Sequence, residues 1–395
     1  MRDLILSLRL KVGTQQLYRQ LTNTILALVG VTMSMIVLFV QLGMQDAVYG
    51  SGVRIHKNLV GEIAVVEPTF RSIQTFTTVD RDMLEVAERY PGVEKAMPFY
   101  YGNMPLISLK DGSAQQILVY GIDPVYPALD LPGLADQMQE ITHDRHYLYD
   151  IQSRPRYGDL ANTPGEPDGL RILGPLNAEQ LRREVVIGGF FSLGPNILYD
   201  GALITSTNNY AIAPGSPLSQ VAIISVKLKP GIDPLVARDA IADLVGKKAM
   251  VLTKEQLIET EKLFWARETP IGRIIDLGLV VGLAIGILFV YQAVFQVIKT
   301  NIPEYAVLKS LGYSTTFFAW VVIQISGIVV LVSYIVGLLL SIWIFSVTEE
   351  ATHLGMYLSP RILLMVLLMT AGMALASAFL ALRRLLKVDP VTLFS

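Results

Sequence analysis

Four long apolar stretches without a charged side chain are the feature that most limits how this chain can fold. They lie between Arg19 and Asp46, between Asp276 and Lys299, between Lys309 and Glu349, and between Arg361 and Arg383. A helix rises about 1.5 Å per residue, so about 20 apolar residues cross the roughly 30 Å hydrocarbon core of a bilayer. Each stretch is long enough. We predict an α-helical membrane protein with spans at residues 22–44, 274–298, 317–347 and 361–382.

Composition agrees with this interpretation. Hydrophobic residues make up 52% of the chain and charged residues only 17%, whereas about 25% is usual in soluble proteins. The formal net charge is −2, and no long block of basic residues occurs. The sequence therefore lacks the basic surface that nucleic-acid binding requires. The absence of cysteine excludes disulfides, zinc-thiolate sites and cysteine nucleophiles.

Basic residues near the ends of spans predict which side of the membrane is cytoplasmic. Residues 1–21 carry four basic side chains against one acidic, the loop at 299–316 carries two against one, and the tail at 383–395 carries three against one. We therefore expect both termini and this loop in the cytoplasm. Residues 45–273 and the short loop at 348–360 are then expected outside, in the periplasm.

The amino-terminal segment has an amphipathic pattern. Leu4, Leu8 and Val12 recur at helical spacing, and the basic residues fall between them. This pattern favours a helix at residues 1–21 that lies along the cytoplasmic membrane surface. The alternative is a simple continuation of the first span.

Residues 45–273, between the first two spans, are numerous enough for one or two globular domains. Two β-α-β halves are predicted at residues 58–99 and 221–252, each with a Pro-Gly turn beside its helix. Residues 100–220 between them are rich in turn signals, which predicts an inserted, mostly-β subdomain. Residues 253–273 predict a stalk helix that leads into the second span. The expected fold is four transmembrane helices with a large α+β domain.

Within this domain, alternation and turn residues predict individual elements. The predicted strands are 63–66, 93–97, 104–109, 116–121, 221–228 and 249–252, and the predicted helices are 81–90 and 234–245. Residues 123–175 show little periodicity, which favours a surface loop over the alternative of a surface for a partner.

A stripe of small residues occurs in the second span. Gly278, Gly282 and Gly286 follow one another at a spacing of four residues, which predicts the close approach of another helix. Packing within one subunit and a seam between two subunits are equally compatible with this pattern. None of the spans' apolar stretches contains an Asp, Glu, Lys, Arg or His side chain, which disfavours a proton-driven transporter.

The sequence contains no recognisable catalytic motif. The phosphate-binding loop G-x-x-x-x-G-K-[ST] is absent, and the nearest fragment, Gly246-Lys247-Lys248, lacks its first glycine and its hydroxyl. His143 and His146 with Asp144 suggest a metal site, but solvent-facing side chains are the favoured interpretation in so polar a segment. We therefore predict a protein that is not an enzyme and that itself binds no cofactor or metal.

The cytoplasmic loop between the second and third spans is the most informative segment. Pro303 suits the first turn of a helix, Glu304 lies near its positive end, and Gly312 suits its termination. Two interpretations remain equal on these grounds: a helix that transmits force from a cytoplasmic partner, or an ordinary interfacial connection. The candidate residues are Asn301, Pro303, Glu304, Tyr305, Leu308, Lys309 and Gly312.

This loop also carries a family resemblance. Residues 301–312, Asn-Ile-Pro-Glu-Tyr-Ala-Val-Leu-Lys-Ser-Leu-Gly, resemble the E-x-x-x-L-[KR]-[AS]-[LM]-G element of permeases in the MacB/FtsX class of ABC transporters. The order of one span, a large domain, three spans and a tail with Asp389-Pro390-Val391 resembles that class over the whole chain. Residues 35–49, 91–93, 98–100 and 119–124 resemble its DevC branch, the permease type of cyanobacterial DevBCA exporters.

The resemblance implies an assembly. It implies a permease homodimer in the bacterial inner membrane, with a MacB-like porter domain, two DevA-like ATPase chains that bind ATP and Mg, a DevB-like periplasmic adaptor and a TolC-like outer-membrane channel. Residues 304–312 would form the coupling helix on the ATPase. By mechanotransmission, the porter domain would then export a lipid-like or other amphipathic substrate, which is glycolipid in heterocyst-forming relatives. The alternatives are a lipoprotein-release permease and an FtsX-like regulator of cell-wall hydrolases.

Overall fold

The computed structural model describes residues 21–108, 112–157, 160, 171–174, 183–212, 217–300 and 302–386. The chain divides into two compact units. The helical unit contains the described residues up to Asp46 with 272–348 and 356–386, and the α/β unit contains 47–271 and 349–355. The helix predicted at residues 1–21 lies outside the described residues except for Leu21.

The helices are numbered in chain order. They are α1 (Leu21–Lys57), α2 (Met83–Glu88), α3 (Thr207–Ile212), α4 (Pro234–Val245), α5 (Lys254–Leu263), α6 (Pro270–Thr300), α7 (Ile302–Ser310), α8 (Thr315–Thr352) and α9 (Pro360–Leu386). Among the described residues, α1, α6, α8 and α9 are the four helices that are long and apolar enough to cross a membrane. This confirms the prediction of four spans.

The interior of the helical unit is a single apolar core to which all four long helices contribute. Its fully buried members include Leu38 and Phe39 of α1, Val294 of α6, Ile325 of α8 and Val366 of α9. Large apolar side chains on the opposite faces of these helices remain exposed. Apolar residues on both the inner and the outer face are what a helix bundle in lipid requires.

Helix α1 does not end with the predicted span at residues 22–44. It continues to Lys57, and Val48, Val53 and Ile55 in this extension are at most 6% exposed. Helical packing therefore continues past Asp46, where the charge-free stretch ends.

The strands are also numbered in chain order. They are β1 (Ile63–Val66), β2 (Val79–Asp80), β3 (Val93–Ser108), β4 (Ala114–Ile122), β5 (His146–Asp150), β6 (Arg171–Leu173), β7 (Arg183–Phe191), β8 (Ala202–Ser206), β9 (Gln220–Val221), β10 (Ile223–Leu228) and β11 (Met250–Thr253). Nine of them form one sheet in the order β11-β1-β10-β3-β4-β8-β5-β7-β6, and β2 pairs with β9.

The two predicted β-α-β halves share this sheet. Strand β1 pairs antiparallel with both β10 and β11, and β10 pairs antiparallel with β3. Met83 and Ala87 of α2 belong to one buried core with Ala237 and Ile241 of α4. Asp233 caps α4 by accepting a hydrogen bond from the Leu235 backbone N–H at 2.8 Å, and Pro234 follows it at the first helical position.

The predicted insertion is mostly β, but its strands extend the same sheet. Strand β3 runs across the predicted boundary at residue 100 and pairs with β4. Its far end also pairs with β6, with Leu106 opposite Leu173 and Ile107 opposite Ile172. The strands β3, β4, β8, β5, β7 and β6 therefore form a closed ring, and β3 connects this ring to the two halves.

Residues 253–273 were predicted as a stalk helix, and the structure resolves them into three pieces. Thr253 begins α5 with a reciprocal capping box, in which its side chain and that of Gln256 bond each other's backbone N–H. A π-helical turn, Phe264–Glu268, follows. Helix α6 then begins at Pro270, because proline restricts the residue before it and favours a helix start.

Candidate coupling segment and transmembrane seam

Helix α7 is the short helix between the second and third spans that the sequence singled out. Gly312 follows it with a φ of 85°, in the left-handed region that glycine adopts without strain. The Tyr313 backbone N–H donates to the Leu308 carbonyl oxygen at 3.1 Å. This is the long bond of a Schellman motif, so Gly312 ends α7 as expected and turns the chain toward α8.

The structure places the predicted coupling residues as follows. Glu304 is exposed in the first turn of α7, where a carboxylate is stabilised by the helix dipole. Leu308 is half-buried and packs against the core of the long helices. Asn301 lies outside the described residues. For Pro303, Tyr305 and Lys309 the structure describes the backbone alone.

An exposed apolar surface lies beside these residues, and the sequence reasoning missed it. Val307 is 55% exposed and Leu311 is 70% exposed. They are four residues apart and therefore lie on the same face, which is the signal that could have identified them. Leu308 anchors the helix, whereas Val307 and Leu311 offer a free apolar face.

The three glycines of α6 pack against α1 of the same chain. A Cβ atom at Gly278 would meet the Gln41 side chain, and one at Gly282 would lie 3.1 Å from Leu38. At Gly286 it would meet Met373 and would lie 2.5 Å from Ser34 Oγ. Of the two interpretations that the sequence left open, packing within one chain accounts for all three glycines.

Hydroxyl groups reinforce these helix contacts, and the sequence analysis did not single them out. Ser34 Oγ donates to the Gly282 carbonyl oxygen at 2.6 Å, Ser377 Oγ to that of Ile287 at 3.0 Å, and Tyr334 Oη to that of Leu363 at 3.0 Å. Hydrogen bonds of this kind contribute about 0.6 kcal/mol each, up to about 1.7 kcal/mol, in membrane proteins.

A buried carboxylate connects three segments of the α/β unit. Glu261 of α5 accepts hydrogen bonds from Ser72 Oγ at 2.7 Å, the Ile73 backbone N–H at 2.9 Å and Trp265 Nε1 at 3.1 Å. His56 Nε2, from the end of α1, lies 3.1 Å from Glu261 Oε2, and both side chains are fully buried. The cluster joins α1, the loop after β1 and the stalk helix.

Asp150 forms a second buried carboxyl site in this unit. It accepts hydrogen bonds from the backbone N–H groups of Gln152, Leu193 and Gly194 at 3.1, 3.0 and 2.7 Å. Burial raises the pKa of Asp150, and this effect exceeds the opposite influence of these donors and of Arg54.

The segment at 123–175, predicted as a surface loop, contains regular structure among its described residues. It contains β5, and Arg154 Nε donates to the Thr352 carbonyl oxygen at 2.7 Å. Arg154 also pairs with Asp200. The segment therefore holds the short loop at residues 349–355 within the α/β unit. Within the described residues, no group of three or more His, Asp or Glu side chains is arranged to hold a metal ion.

The comparison with protein families gives one match. Residues 277–390 match the family described as "FtsX-like permease C-terminal". The match begins in α6 and includes α7, α8 and α9, so the candidate coupling segment lies inside it. A comparison with curated proteins finds no match.

Three solved structures are similar to part of the chain. The periplasmic region of MacB from Actinobacillus actinomycetemcomitans is 12% identical, with TM-score 0.36, and covers 52% of this chain and 94% of its own. The extracellular domain of the noncanonic ABC-type transporter YknZ from Gram-positive bacteria is 13% identical, with TM-score 0.32. The match covers 48% of this chain and 99% of that domain. A domain of a putative permease protein from Porphyromonas gingivalis is 16% identical, with TM-score 0.31. The match covers 50% of this chain and 88% of that domain.

The four long helices and the nine-stranded sheet define a membrane protein with a large α/β domain. Its carboxyl-terminal part, residues 277–390, matches the FtsX-like permease family over most of α6 and all of α7, α8 and α9.

Proposed function

We propose that this chain is the permease subunit of an ABC transporter of the MacB/FtsX class, and that a separate ATPase chain drives it. The match of residues 277–390 to the FtsX-like permease family carries this proposal. In it, ATP and Mg bind to the partner, and this chain is a transporter component without catalytic residues.

The contact with the ATPase would be made by α7. Leu308 fixes this helix to the core of the long helices, while Val307, Leu311 and Glu304 are exposed. A helix that is anchored by one side chain and presents exposed apolar side chains beside it suits a groove in a partner. Movement of the partner would then reach the spans on either side, through α6 and α8.

The remaining parts of the proposal follow the resemblance seen in the sequence. In it, α7 and both termini are cytoplasmic, and the α/β unit lies on the periplasmic side of the inner membrane. The permease is a homodimer and works with a DevA-like ATPase, a DevB-like adaptor and a TolC-like channel, as in DevC-type exporters. The cargo is lipid-like or otherwise amphipathic and is moved by mechanotransmission.

The test is ATPase activity of the purified chain with its cognate nucleotidase in lipid. We expect no ATPase activity from the chain alone and stimulated activity from the pair. Val307→Asp and Leu311→Asp place a charge on the contact face, and we expect each to lower the stimulation by about tenfold or more, as hot-spot losses do. Val236→Asp is the matched control, because Val236 is an equally exposed valine on α4 of the α/β unit.

Unchanged stimulation in both the Val307 and the Leu311 variant would contradict the proposal. Co-purification separates the alternatives. A lipoprotein-release permease would recruit the ATPase without an adaptor and an outer-membrane channel. A regulator of cell-wall hydrolases would locate at the septum, and its deletion would block division.

A further inference from the structure

The last turn of α8 is bonded to a loop of the α/β unit. Glu349 is the first charged residue after the apolar stretch of this span, and Thr352 lies three residues later in the same helix, about 5 Å along its axis. Arg154 Nε donates to the Thr352 carbonyl oxygen at 2.7 Å. The headgroup layer of a bilayer is about 5–8 Å thick on each side. Arg154 is therefore held at the level of the lipid headgroups.

Two loops meet at Arg154, and we call them together the arginine rim, residues 151–156 and 192–201. The Arg154 backbone N–H donates to the Asp200 carbonyl oxygen at 2.7 Å, and the Arg154 guanidinium pairs with the Asp200 carboxylate. Gln152 Nε2 donates to Ser192 Oγ at 2.8 Å. These bonds hold the two loops together, so the contact with Thr352 fixes the level of both.

The arginine rim exposes one large aliphatic side chain on each loop. Ile151 is 54% exposed and Leu198 is 55% exposed. Ile151 lies three residues before Arg154, and Leu198 lies two residues before Asp200, so each lies within about 11 Å of that ion pair. Arg156, whose Nη1 lies 3.1 Å from Asp200 Oδ2, is also exposed. Aliphatic side chains beside a guanidinium are typical of surfaces that lie in the membrane interface.

We propose that the arginine rim is a lipid anchor of the α/β unit, in which Ile151 and Leu198 insert into the leaflet at the carboxyl-terminal end of α8. The Arg156 guanidinium meets lipid phosphate groups, for which its planar donors are suited. Lipid is the occupant because the bond to Thr352 keeps the rim at headgroup level whether or not another protein is bound. The proposal rests on the membrane spans and not on the permease function.

The chain contains no cysteine, so one introduced cysteine can carry a fluorescent probe at one position. We would label Ile151→Cys and, separately, Leu198→Cys in the full chain, reconstituted in phosphatidylcholine vesicles. Part of this lipid carries a spin label near the carbonyl end of its acyl chain, which quenches a probe only at short range. We expect quenching at both positions, and an unquenched probe at either one would overturn the proposal.

Val125→Cys is the matched control. Val125 is a 74% exposed aliphatic residue of the same unit, and its loop is bonded beyond the end of α1, where the Val60 N–H donates to the Ala128 carbonyl oxygen at 2.9 Å. Helix α1 ends at Lys57, eleven residues beyond Asp46, about 17 Å along its axis. We expect no quenching there, and equal quenching at all three positions would also overturn the proposal.

A second measurement separates insertion from mere proximity. Leu198→Asp, added to the labelled Ile151→Cys chain, should lower the inserted fraction about tenfold, because burial of a leucine side chain is favoured by about that factor or more. The quenching of the Ile151 probe should fall accordingly, whereas Val125→Asp should leave it unchanged. If Leu198→Asp had no effect, the rim would be near lipid without being inserted, and the proposal would be wrong. It would also be wrong if a co-purifying protein shielded the probes and lipid did not quench them, since the rim would then be a protein interface.

Discussion

The two units stabilise their buried polar side chains in different ways. Every buried polar side chain described in the helical unit is a serine or a threonine, as in Ser34 and Ser377, which donate to backbone carbonyl oxygens. The α/β unit buries carboxyl groups, Glu261 and Asp150, each held by several donors. Folded loops supply backbone N–H groups, whereas neighbouring helices in lipid offer few free donors. Among the described residues, buried carboxyl groups therefore occur only in the unit that can surround them with donors.

Among the substitutions that test this difference, Glu261→Ala should change the unfolding free energy most. It removes the acceptor of three hydrogen bonds and leaves the buried His56, Ser72 and Trp265 without it. We expect a loss of about 3–5 kcal/mol in the unfolding free energy of the α/β unit, because each buried donor left unsatisfied costs about 1–3 kcal/mol. Urea unfolding of the whole chain in detergent, followed by circular dichroism, measures it.

Glu259→Ala is the matched control for that change. Glu259 is an exposed residue of the same helix, so its removal should stay within about 0.5 kcal/mol. If the two variants were equally stable, the buried cluster would have no role in stability.

Gly286→Leu tests the packing of the helical unit. The new side chain would collide with Met373 and Ser34, and overpacking of this kind costs about 1–3 kcal/mol. Ala284→Leu adds similar bulk on the exposed face of α6. We expect only the first variant to shift the helical unit's unfolding transition in mixed micelles. Equal destabilisation by both variants would mean that the stability of the helical unit does not depend on close packing at Gly286.

Ser34→Ala should have a smaller effect on the stability of the contact between α1 and α6. It removes one hydrogen bond to Gly282, so we expect a loss of about 0.6 kcal/mol. Ser346→Ala removes a hydroxyl that bonds within its own helix on an exposed face and should change less. Unfolding in mixed micelles measures both, and a loss above about 2 kcal/mol for Ser34→Ala would show that more than this bond depends on the side chain.

Asp150→Asn should have the smallest effect of these substitutions, and its effect on the unfolding free energy should depend on pH. Because burial raises the pKa of Asp150 in the folded state, the folded chain holds this proton more tightly than the unfolded chain does. The stabilisation is complete below the unfolded pKa, near 3.8, and is lost as pH rises through the raised folded pKa. The asparagine variant has no such loss.

The stability advantage of wild type over Asp150→Asn should therefore shrink as pH rises from below 3.8. Urea unfolding at a series of pH values checks the sign. An advantage that grows with pH would show that the backbone donors and Arg54 outweigh burial. Asp136→Asn, at an exposed position, controls for the loss of a surface carboxylate.

The sequence was sufficient for the spans and for local elements. Lipid demands about 20 apolar residues for each span, so the four helices could be predicted from length alone. In the α/β unit, the predicted strand at residues 63–66 and the predicted helix at residues 234–245 agree with β1 and α4. The alternation of apolar and polar residues and the Pro-Gly turns are local signals. Strands and helices marked by them can therefore be predicted from the sequence.

Contacts between distant segments could not be predicted. The pairing of β3 with β6 closes the ring, but nothing in the local pattern of Leu106 or Leu173 indicates the other as its partner. His56 and Glu261 are separated by 205 positions, and each alone resembles an ordinary surface residue.

The position of Trp265 has a practical consequence. The chain has three tryptophans; Trp265 is 1% exposed and bonded to Glu261, whereas Trp320 and Trp343 are 60% and 65% exposed on α8. Replacing the latter two with phenylalanine would leave Trp265 as the single tryptophan, in a buried site where its indole N–H bonds Glu261. Its emission would shift to longer wavelength whenever water reached the junction of α1 and the stalk. The molecule thus contains its own optical reporter of movement at that junction.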